Sequence, residues 1–421
     1  MRLLPLRLSE AVAPARLGRS FRWLLAATTV NNIGDGVVLS AGPLLVASLT
    51  RDPFLVSLAV LSEYLPVLLF GLFGGVAADR FDRKRMVVVV NVGRAFVLAV
   101  LVATIASGAV SIPLVLAALF ALGTAETFAD SASSTLLPGL VSRDDLGVAN
   151  ARLQGAFLLA NQLVFPPVGA FLFALGPAIP FATNAICFVL GAVLISRIVT
   201  GARPPRISGS SVRAELAEGF RWLLAHPPMR TLSLTILAFN ITFGAAWAVL
   251  VLYANERLGM SEVGFGLLTT AVAIGGVIGT VSYGWLERRF SLADIMRVGL
   301  VIETLWHLVF AVTTSPAVAL GAMFVFGIHG FVWGTTSTVV RQRAVPDAVL
   351  GRVSAVYRIA IVGGTVIGTP IGGILASAFG ITAPFWFGFV GSAALVIILW
   401  RRFDDITHAV PDEELPIPVA G

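Results

Sequence analysis

Ionisable and thiol groups are scarce in this chain, and their scarcity excludes several kinds of protein. Only 12% of the 421 residues are charged and 57% are hydrophobic, whereas soluble domains have roughly 25% charged residues. The one cysteine, Cys187, lies inside an apolar run, which excludes a disulfide framework and a cysteine metal cluster. The four histidines are scattered without metal-ligand spacing, so we expect neither a metal nor a cofactor. The composition indicates a polytopic membrane protein.

Lysine is almost absent too. The only lysine, Lys84, lies in no G-x-x-x-x-G-K-[ST] motif, which a Walker-type ATP site requires. Any work that the protein does must therefore draw on a gradient or a partner. A nucleophile–base pair is also lacking, so we expect no enzymatic activity. A membrane-embedded enzyme or sensor without transport is the least supported alternative.

Twelve apolar runs are long enough to cross a bilayer, which takes about 20 mostly apolar residues per helix. These runs are expected to form helices, because lipid offers no hydrogen-bond partners to exposed backbone N–H and C=O groups. The runs are continuously apolar, whereas the strands of a β-barrel alternate between apolar and polar residues. We therefore predict an all-α polytopic membrane protein with twelve transmembrane helices. The runs are residues 21–49, 54–78, 86–107, 112–137, 148–174, 178–199, 229–254, 263–287, 293–313, 317–340, 350–378 and 382–400.

Arginine is distributed unevenly between the two sides of the predicted membrane domain. With the N-terminus in the cytosol, the outer loops hold only Arg51 and Arg257, whereas the cytosolic segments hold most of the other arginines. Positive residues stay on the cytosolic side, so we predict that both termini are cytosolic and that the protein is multi-pass in the cell inner (plasma) membrane. The net charge of +6 follows from this topology and does not indicate nucleic acid binding. Arg7, Glu10 and Arg16 interrupt the N-terminal apolar stretch, so we expect a cytosolic tail there and no cleavable signal.

One long polar segment divides the chain into two halves. It is rich in Pro, Gly and Ser at first and then has helical apolar spacing from Ala214 to Leu224, which predicts an amphipathic helix on the cytosolic face. We predict a six-helix N-terminal bundle in residues 1–200, a connector in 201–228, and a six-helix C-terminal bundle with a short tail in 229–421. When the two halves are aligned without gaps, Pro166 corresponds to Pro370, Gly169 to Gly373 and Gly176 to Gly380. Such a repeat is typical of transporters.

The stretch GLFGGVAADRFDRKR forms a short charged connection between the second and third runs. It resembles the loop between helices two and three of the major facilitator superfamily, G-x-x-x-D-R-x-G-R-[RK]. Asp82 replaces the second glycine of that pattern, a departure associated with drug- and siderophore-exporting members. The resemblance implies that Asp79 faces the start of the eleventh helix and forms, with Arg83, a latch that breaks when the cytosolic side opens. The motif positions are occupied by Gly75, Asp79, Arg80, Arg83 and Lys84.

Residues 123–156 closely resemble the fourth-to-fifth helix region of macrolide-efflux and enterobactin-exporter proteins. Both resemblances imply a secondary active transporter that exports an amphipathic small molecule, such as a drug, antibiotic or siderophore, by proton-coupled alternating access. The expected partners are the substrate, protons and the lipid bilayer, with no nucleic acid, and the protein is expected to be a monomer. The alternative is a lipid or lysolipid transporter of the same fold.

Charged groups inside a membrane are costly and usually functional. Asp35 lies in the first run beside Asn31 and Asn32, and Glu63 lies in the second run. Both carboxylates are expected near mid-depth, where a central cavity reaches them, which suits them to carry a proton. Alternatively, each forms hydrogen bonds to neighbouring helices. We assign Asn31, Asn32, Asp35 and Glu63 to the proton and substrate pathway.

Three further residues complete the predicted pathway. Glu126 and Asp130 are four residues apart and so lie on one face of the fourth helix. Counting depth from the cytosol places Arg94 level with Asp130 and Glu126 a turn deeper. We therefore expect a buried arginine–carboxylate pair, either fixed or opening during transport.

The second half has its own intramembrane polar residues, Glu303, His307 and His329. For the two histidines, packing or hydrogen bonding is favoured over protonation. Glycines four residues apart predict close contacts between helices. They are Gly71 and Gly75, Gly275 and Gly279, and Gly364, Gly368 and Gly372.

Overall fold

The computed structural model describes residues 14–199 and 212–403, and every regular element in that part of the chain is helical. Helix α5 is interrupted by a π-helical stretch, Phe157–Val164, between Leu146–Ala156 and Phe165–Leu175. The others are α1 Gly18–Leu49, α2 Pro53–Arg80, α3 Arg83–Ala106, α4 Ile112–Leu136, α6 Ile179–Ser196, α7 Val212–Ala225, α8 Pro227–Trp247, α9 Glu262–Arg289, α10 Leu292–Val312, α11 Pro316–Ala344, α12 Asp347–Phe379 and α13 Ala383–Leu399.

Each of the twelve apolar runs is matched by a helix, which confirms the predicted fold class. Within residues 14–199 and 212–403, eleven helices have the length and composition to span a bilayer, and α13 is a shorter apolar helix. Polar caps set several of the helix starts. The Asp52 side chain accepts a hydrogen bond from Phe54 N at the start of α2, and Asp82 accepts one from Arg85 N at the start of α3. The residue that departs from the family loop pattern thus caps the third helix.

The twelve membrane helices pack as two groups of six, which we call the N-terminal bundle (α1–α6) and the C-terminal bundle (α8–α13). Their internal contacts are equivalent: α2 packs on α4 as α9 packs on α11, and α1 packs on α5 as α8 packs on α12. The bundles meet where α2 contacts α12 and where α5 contacts α9. The repeat predicted from the glycine and proline pattern is therefore present in the packing.

The described polar contacts between the bundles lie at the ends predicted to face outside the cell. Ser377 Oγ of α12 donates a hydrogen bond to Asp52 Oδ1, 3.3 Å away at the start of α2. Arg51 Nη1 lies 3.9 Å from Glu256 Oε1 of the other bundle. These contacts connect the two bundles at their outer ends.

Glycines bring several helices into close contact, as predicted. A Cβ atom on Gly275 would lie 2.1 Å from Phe324 O, so α9 approaches α11 closely. A Cβ atom on Gly368 would likewise lie 2.1 Å from Ile241 O, between α12 and α8. For Gly71 and Gly75 of α2 the prediction was wrong. A Cβ atom at either position would meet nothing within 4 Å among the residues that the structure describes, so neither glycine makes a close helix contact there.

Helix α7 lies in the predicted connector, and it docks on the C-terminal bundle. Glu218 forms an ion pair with Arg352 near the start of α12. A Cβ atom on Gly219 would lie 2.7 Å from Arg352 O, and Leu223 is buried in the apolar core of that bundle. Residues 201–211, the first part of the predicted connector, lie outside the described residues, and the domain boundaries stay predictions.

Candidate functional site

The site is built around Arg94 of α3, whose guanidinium joins three other helices. Its Nη2 atom lies 3.3 Å from Asp35 Oδ1 of α1 and 3.4 Å from Glu126 Oε2 of α4. The guanidinium carbon lies 4.0 Å from the ring centre of Phe188 on α6, a cation–π distance. A buried cation needs compensating charge and hydrogen-bond acceptors, and two carboxylates from different helices supply both.

Solvent access differs sharply within this cluster. The Arg94 side chain is 5% exposed, whereas the Asp35 side chain is 20% exposed and that of Glu126 is 46% exposed. The arginine is therefore fixed inside the bundle while its carboxylate partners remain in reach of water. With both carboxylates ionised, the three charges sum to a net negative charge, which one proton neutralises.

Buried amides lie around these charges. Asn91 of α3 is fully buried three residues before Arg94, and Asn184 of α6 is 2% exposed. Glycines make room for the amides of α1 and α6: a Cβ atom on Gly34 would lie 2.1 Å from Asn184 Oδ1, and one on Gly191 would lie 2.0 Å from Asn31 Oδ1. Asn91 and Asn184 are missing from the sequence prediction, and their only signal is an amide inside an otherwise apolar helix.

The remaining pathway residues lie at the edge of the cluster. Asn32 Nδ2 donates to Thr28 O, one turn back in its own helix, rather than to the charged groups. Glu63 of α2 is half-buried and lies near enough to interact electrostatically with Glu126 and Asp35. The backbone carbonyl of Glu63 would lie 2.6 Å from a Cβ atom on Gly123, so α2 and α4 are in close contact at this level.

Asp130 is exposed, and Arg94 forms its ion pairs with Asp35 and Glu126. The expected arginine–carboxylate pair is thus present, with the deeper of the two α4 carboxylates. Counting residues along two helices ignores their tilt, so it could not choose between carboxylates one turn apart. Asp130 interacts electrostatically with Arg94 and also with the exposed Arg358 of α12, in the other bundle.

The charged loop between α2 and α3 ties helix ends of the N-terminal bundle together. Arg83 Nε donates to Ala78 O at 3.0 Å and its Nη1 donates to Thr135 O at 3.1 Å. Lys84 Nζ donates to Ile198 O, just past the end of α6, at 2.7 Å. Cations are favourable at the carbonyl ends of helices.

The other loop positions do not test the predicted latch. Arg80 and Gly75 are exposed. The side chain of Asp79 lies outside the described part of the structure, so the latch stays a prediction.

An apolar cleft of about 380 Å³ lies between α1 and α5. Leu25, Thr29 and Ile33 line it from α1, and the π-helical stretch contributes Leu159 from α5. π-helical turns are often found at functional sites. The exposed Arg152, near the cytosolic end of α5, also lines this cleft.

Comparisons with known proteins agree with this architecture. A family described as transmembrane secretion effectors (MFS_3) matches residues 9–414. The multidrug efflux pump Tap of Mycolicibacterium fortuitum is 27% identical over 86% of this chain and 90% of its own length. The enterobactin exporter EntS of Shigella boydii serotype 4 (strain Sb227) is 25% identical over 91% of this chain and 93% of its own length.

Solved structures show the same fold. A bacterial homologue of the iron transporter ferroportin in an inward-facing state superposes with a TM-score of 0.71 at 19% identity, covering 93% of this chain and 99% of that one. A bacterial homologue of the lysosomal transporter Spinster, inward-facing and unoccupied, gives a TM-score of 0.68 at 15% identity, covering 92% and 95%. The chain belongs to the transmembrane secretion effector family and is a multi-pass membrane transporter of the major facilitator superfamily.

Proposed function

We propose that this transporter exports an amphipathic small molecule from the cytosol in exchange for protons, and that Asp35, Arg94 and Glu126 form the coupling site. The observation that carries the proposal is the pairing of one buried arginine with two water-accessible carboxylates on different helices. The efflux and export functions named for Tap and EntS support the direction and the class of substrate.

Charge balance explains how protons and substrate exchange at this site. A net charge inside the membrane is costly, and the cluster is neutral when it holds one proton and negative when it holds none. The deprotonated cluster therefore attracts a cationic or hydrogen-bond-donating part of a substrate, and uptake of a proton removes that attraction. Substrate and proton thus compete for the same carboxylates.

The neighbouring acidic groups extend the site in both directions, with Asp130 on the cytosolic side of Glu126 and Glu63 on the outer side. Asp130 lies one helical turn from Glu126 on α4, and Glu63 lies close to both Glu126 and Asp35. In our proposal these four carboxylates form the proton pathway, while Asn31 and Asn32 contribute polar groups from α1. The apolar cleft between α1 and α5 accepts the apolar part of the substrate.

Alternating access then requires the outer contacts to break. Asp52–Ser377 and Arg51–Glu256 join the bundles at their outer ends. In this proposal, release to the outside separates both pairs, and the close packing of α2 against α12 and of α5 against α9 changes with them.

The proposal is tested in inside-out membrane vesicles, with ethidium, erythromycin or enterobactin added separately to the outside medium as transport probes. We expect an imposed pH gradient to raise the accumulation of at least one probe in vesicles with the wild-type protein. Asp35→Asn and Glu126→Gln should abolish that rise, and Glu63→Gln should weaken it. The matched control is Glu287→Gln, which removes a carboxylate from the Arg343–Glu287 pair outside the cluster.

Accumulation that ignores the pH gradient would contradict proton coupling. Accumulation that responds to the gradient equally well in both cluster variants would exclude these carboxylates as the coupling site. Lipid scrambling by the purified protein in proteoliposomes, without accumulation of any probe, would favour the lipid-transporter alternative.

A further inference from the structure

The C-terminal bundle contains a second cluster of ionisable groups, which the proposed coupling site does not use. Glu303 and His307 lie one turn apart on α10, and His329 lies opposite them on α11. His307 Nε2 is 3.3 Å from Glu303 Oε1, and His329 Nε2 is 3.6 Å from Glu303 Oε2. All three side chains are at most 1% exposed, so each carboxylate oxygen faces one imidazole without access to water.

Glycines make space for both imidazoles. A Cβ atom on Gly388 of α13 would lie 2.3 Å from His307 Nδ1. A Cβ atom on Gly299 of α10 would lie 3.0 Å from His329 Nδ1. The packing of the bundle therefore fits around this cluster and encloses it.

Aromatic rings close the cluster on its other sides. The Trp306 ring lies 4.6 Å from the His307 ring, and the Trp333 ring lies 6.0 Å from the His329 ring. Phe239 of α8 and Phe326 of α11 lie 6.0 and 6.1 Å from His329. The surroundings are apolar, and they place two indoles beside the two imidazoles.

The helices packed against the cluster supply no other charge to it. α13 has no ionisable residue along its length, and α8 presents Phe239 and Phe243 to this region. The only ionisable residue of α8 is Arg230, in its first turn at the cytosolic end. The groups that act electrostatically on Glu303 are His307 and His329.

We propose that Glu303, His307 and His329 form a proton-binding site that holds one proton shared between the carboxylate and the two imidazoles. An ionised carboxylate without access to water costs several kcal/mol unless it is paired with a positive charge, and neutral imidazoles supply none. One proton makes the cluster neutral, because it converts one imidazole to an imidazolium that pairs with the carboxylate. The proton thereby stabilises the contact between α10 and α11.

This inference goes beyond the proposed transport function, because proton binding is measurable in purified protein without substrate or gradient. Trp306 and Trp333 provide the readout, since a protonated imidazole quenches the fluorescence of an adjacent indole. Trp222 stacks on the ring of His226 with the ring centres 3.7 Å apart, so every protein in this comparison, including the reference, carries Trp222→Phe. In detergent, the protein with this background substitution alone should show a fluorescence transition with pH as the shared proton is released. Glu303→Gln removes the charge that retains the proton, so that transition should disappear and the fluorescence at neutral pH should rise.

Substitutions of the two tryptophans assign the signal without changing the ionisable groups of the cluster. The transition should be smaller in Trp306→Phe and in Trp333→Phe than in the reference protein, and absent when both substitutions are combined. The surface variant Glu287→Gln should titrate like the reference protein. The proposal is overturned if Glu303→Gln titrates like the reference protein. It is also overturned if the transition persists in the double tryptophan variant, a test that applies even if Glu303→Gln does not fold.

Discussion

The two bundles place opposite charges on equivalent helices. In the N-terminal bundle the third helix carries the cation, Arg94, and the fourth carries the carboxylate Glu126. In the C-terminal bundle the third helix of the repeat, α10, carries the carboxylate Glu303, and the fourth, α11, carries His329. The first cluster has exposed carboxylates and the second is sealed. In our proposals, the cluster of the N-terminal bundle therefore exchanges protons with solvent, whereas the enclosed cluster of the C-terminal bundle stabilises the contact between α10 and α11.

The largest expected effect is on transport, after removal of Arg94. Arg94→Ala takes away the charge that holds Asp35 and Glu126, and each hydrogen bond to a charged group contributes roughly 1.5–3 kcal/mol. We expect pH-driven accumulation to fall by more than about 100-fold, since 1.4 kcal/mol corresponds to about tenfold. Arg94→Lys should restore little, because a single ammonium lacks the planar fork that reaches both carboxylates. Normal transport by Arg94→Ala would contradict the assigned coupling site.

In the sealed cluster, the expected effect is on stability rather than on transport. His307→Ala leaves Glu303 with one partner in an apolar interior, and breaking a buried pair costs about 3–5 kcal/mol. We expect a clear loss of thermal stability in detergent, measured by the loss of monodisperse protein on heating. Asp35→Asn should lower stability less, because Arg94 keeps its ion pair with Glu126 and the asparagine still presents an oxygen acceptor. Equal losses in both variants would remove the distinction between the clusters.

One glycine beside each cluster allows the two clusters to be compared by substitutions with smaller expected effects. Gly191→Ala in α6 would place its Cβ atom 2.0 Å from Asn31 Oδ1, and Gly388→Ala in α13 would place its Cβ atom 2.3 Å from His307 Nδ1. Overpacking of this kind costs about 1–3 kcal/mol. We expect Gly191→Ala to reduce transport and Gly388→Ala to alter the fluorescence titration. Gly321→Ala, whose Cβ atom would meet nothing within 4 Å, is the control and should change neither.

The smallest effect is expected at the outer ends, where the ion pair is exposed. Arg51 and Glu256 are 3.9 Å apart with side chains 78% and 33% exposed, and exposed pairs contribute about 0–1 kcal/mol. Arg51→Ala should therefore change thermal stability only slightly and leave the fluorescence titration unchanged. A large loss of stability would show that this pair, rather than the helix packing, holds the outer ends together.

The helices were predictable from the sequence because lipid leaves the chain few choices. Apolar runs of sufficient length must become helices, and every predicted run is matched by one. The π-helical stretch in α5 and the end of α8 at Trp247, followed by the short helix Leu250–Leu252, were not predicted. Both depend on how neighbouring helices pack, which hydropathy does not record.

The candidate site was predicted in part. Asp35, Arg94 and Glu126 were recognisable because a charge inside an apolar run is rare. The pairing of Arg94 with Asp35 was not predicted, because it depends on which face of α1 packs toward α3. Asn91 and Asn184 were missed, since a buried amide carries a weaker sequence signal than a charge. The open face of Gly71 and Gly75 shows the same limit, because glycine spacing does not reveal whether a partner helix is present.

The central claim is that protons leave and enter through the Asp35–Arg94–Glu126 cluster when substrate moves. The most direct measurement follows the internal pH of proteoliposomes, with a trapped pH-sensitive dye, after addition of a probe that the vesicle assay has shown to be transported. We predict that the wild-type protein and Glu287→Gln move protons in the direction opposite to the substrate, and that the double variant Asp35→Asn/Glu126→Gln moves none. Substrate-driven proton movement that persists in the double variant would contradict the account.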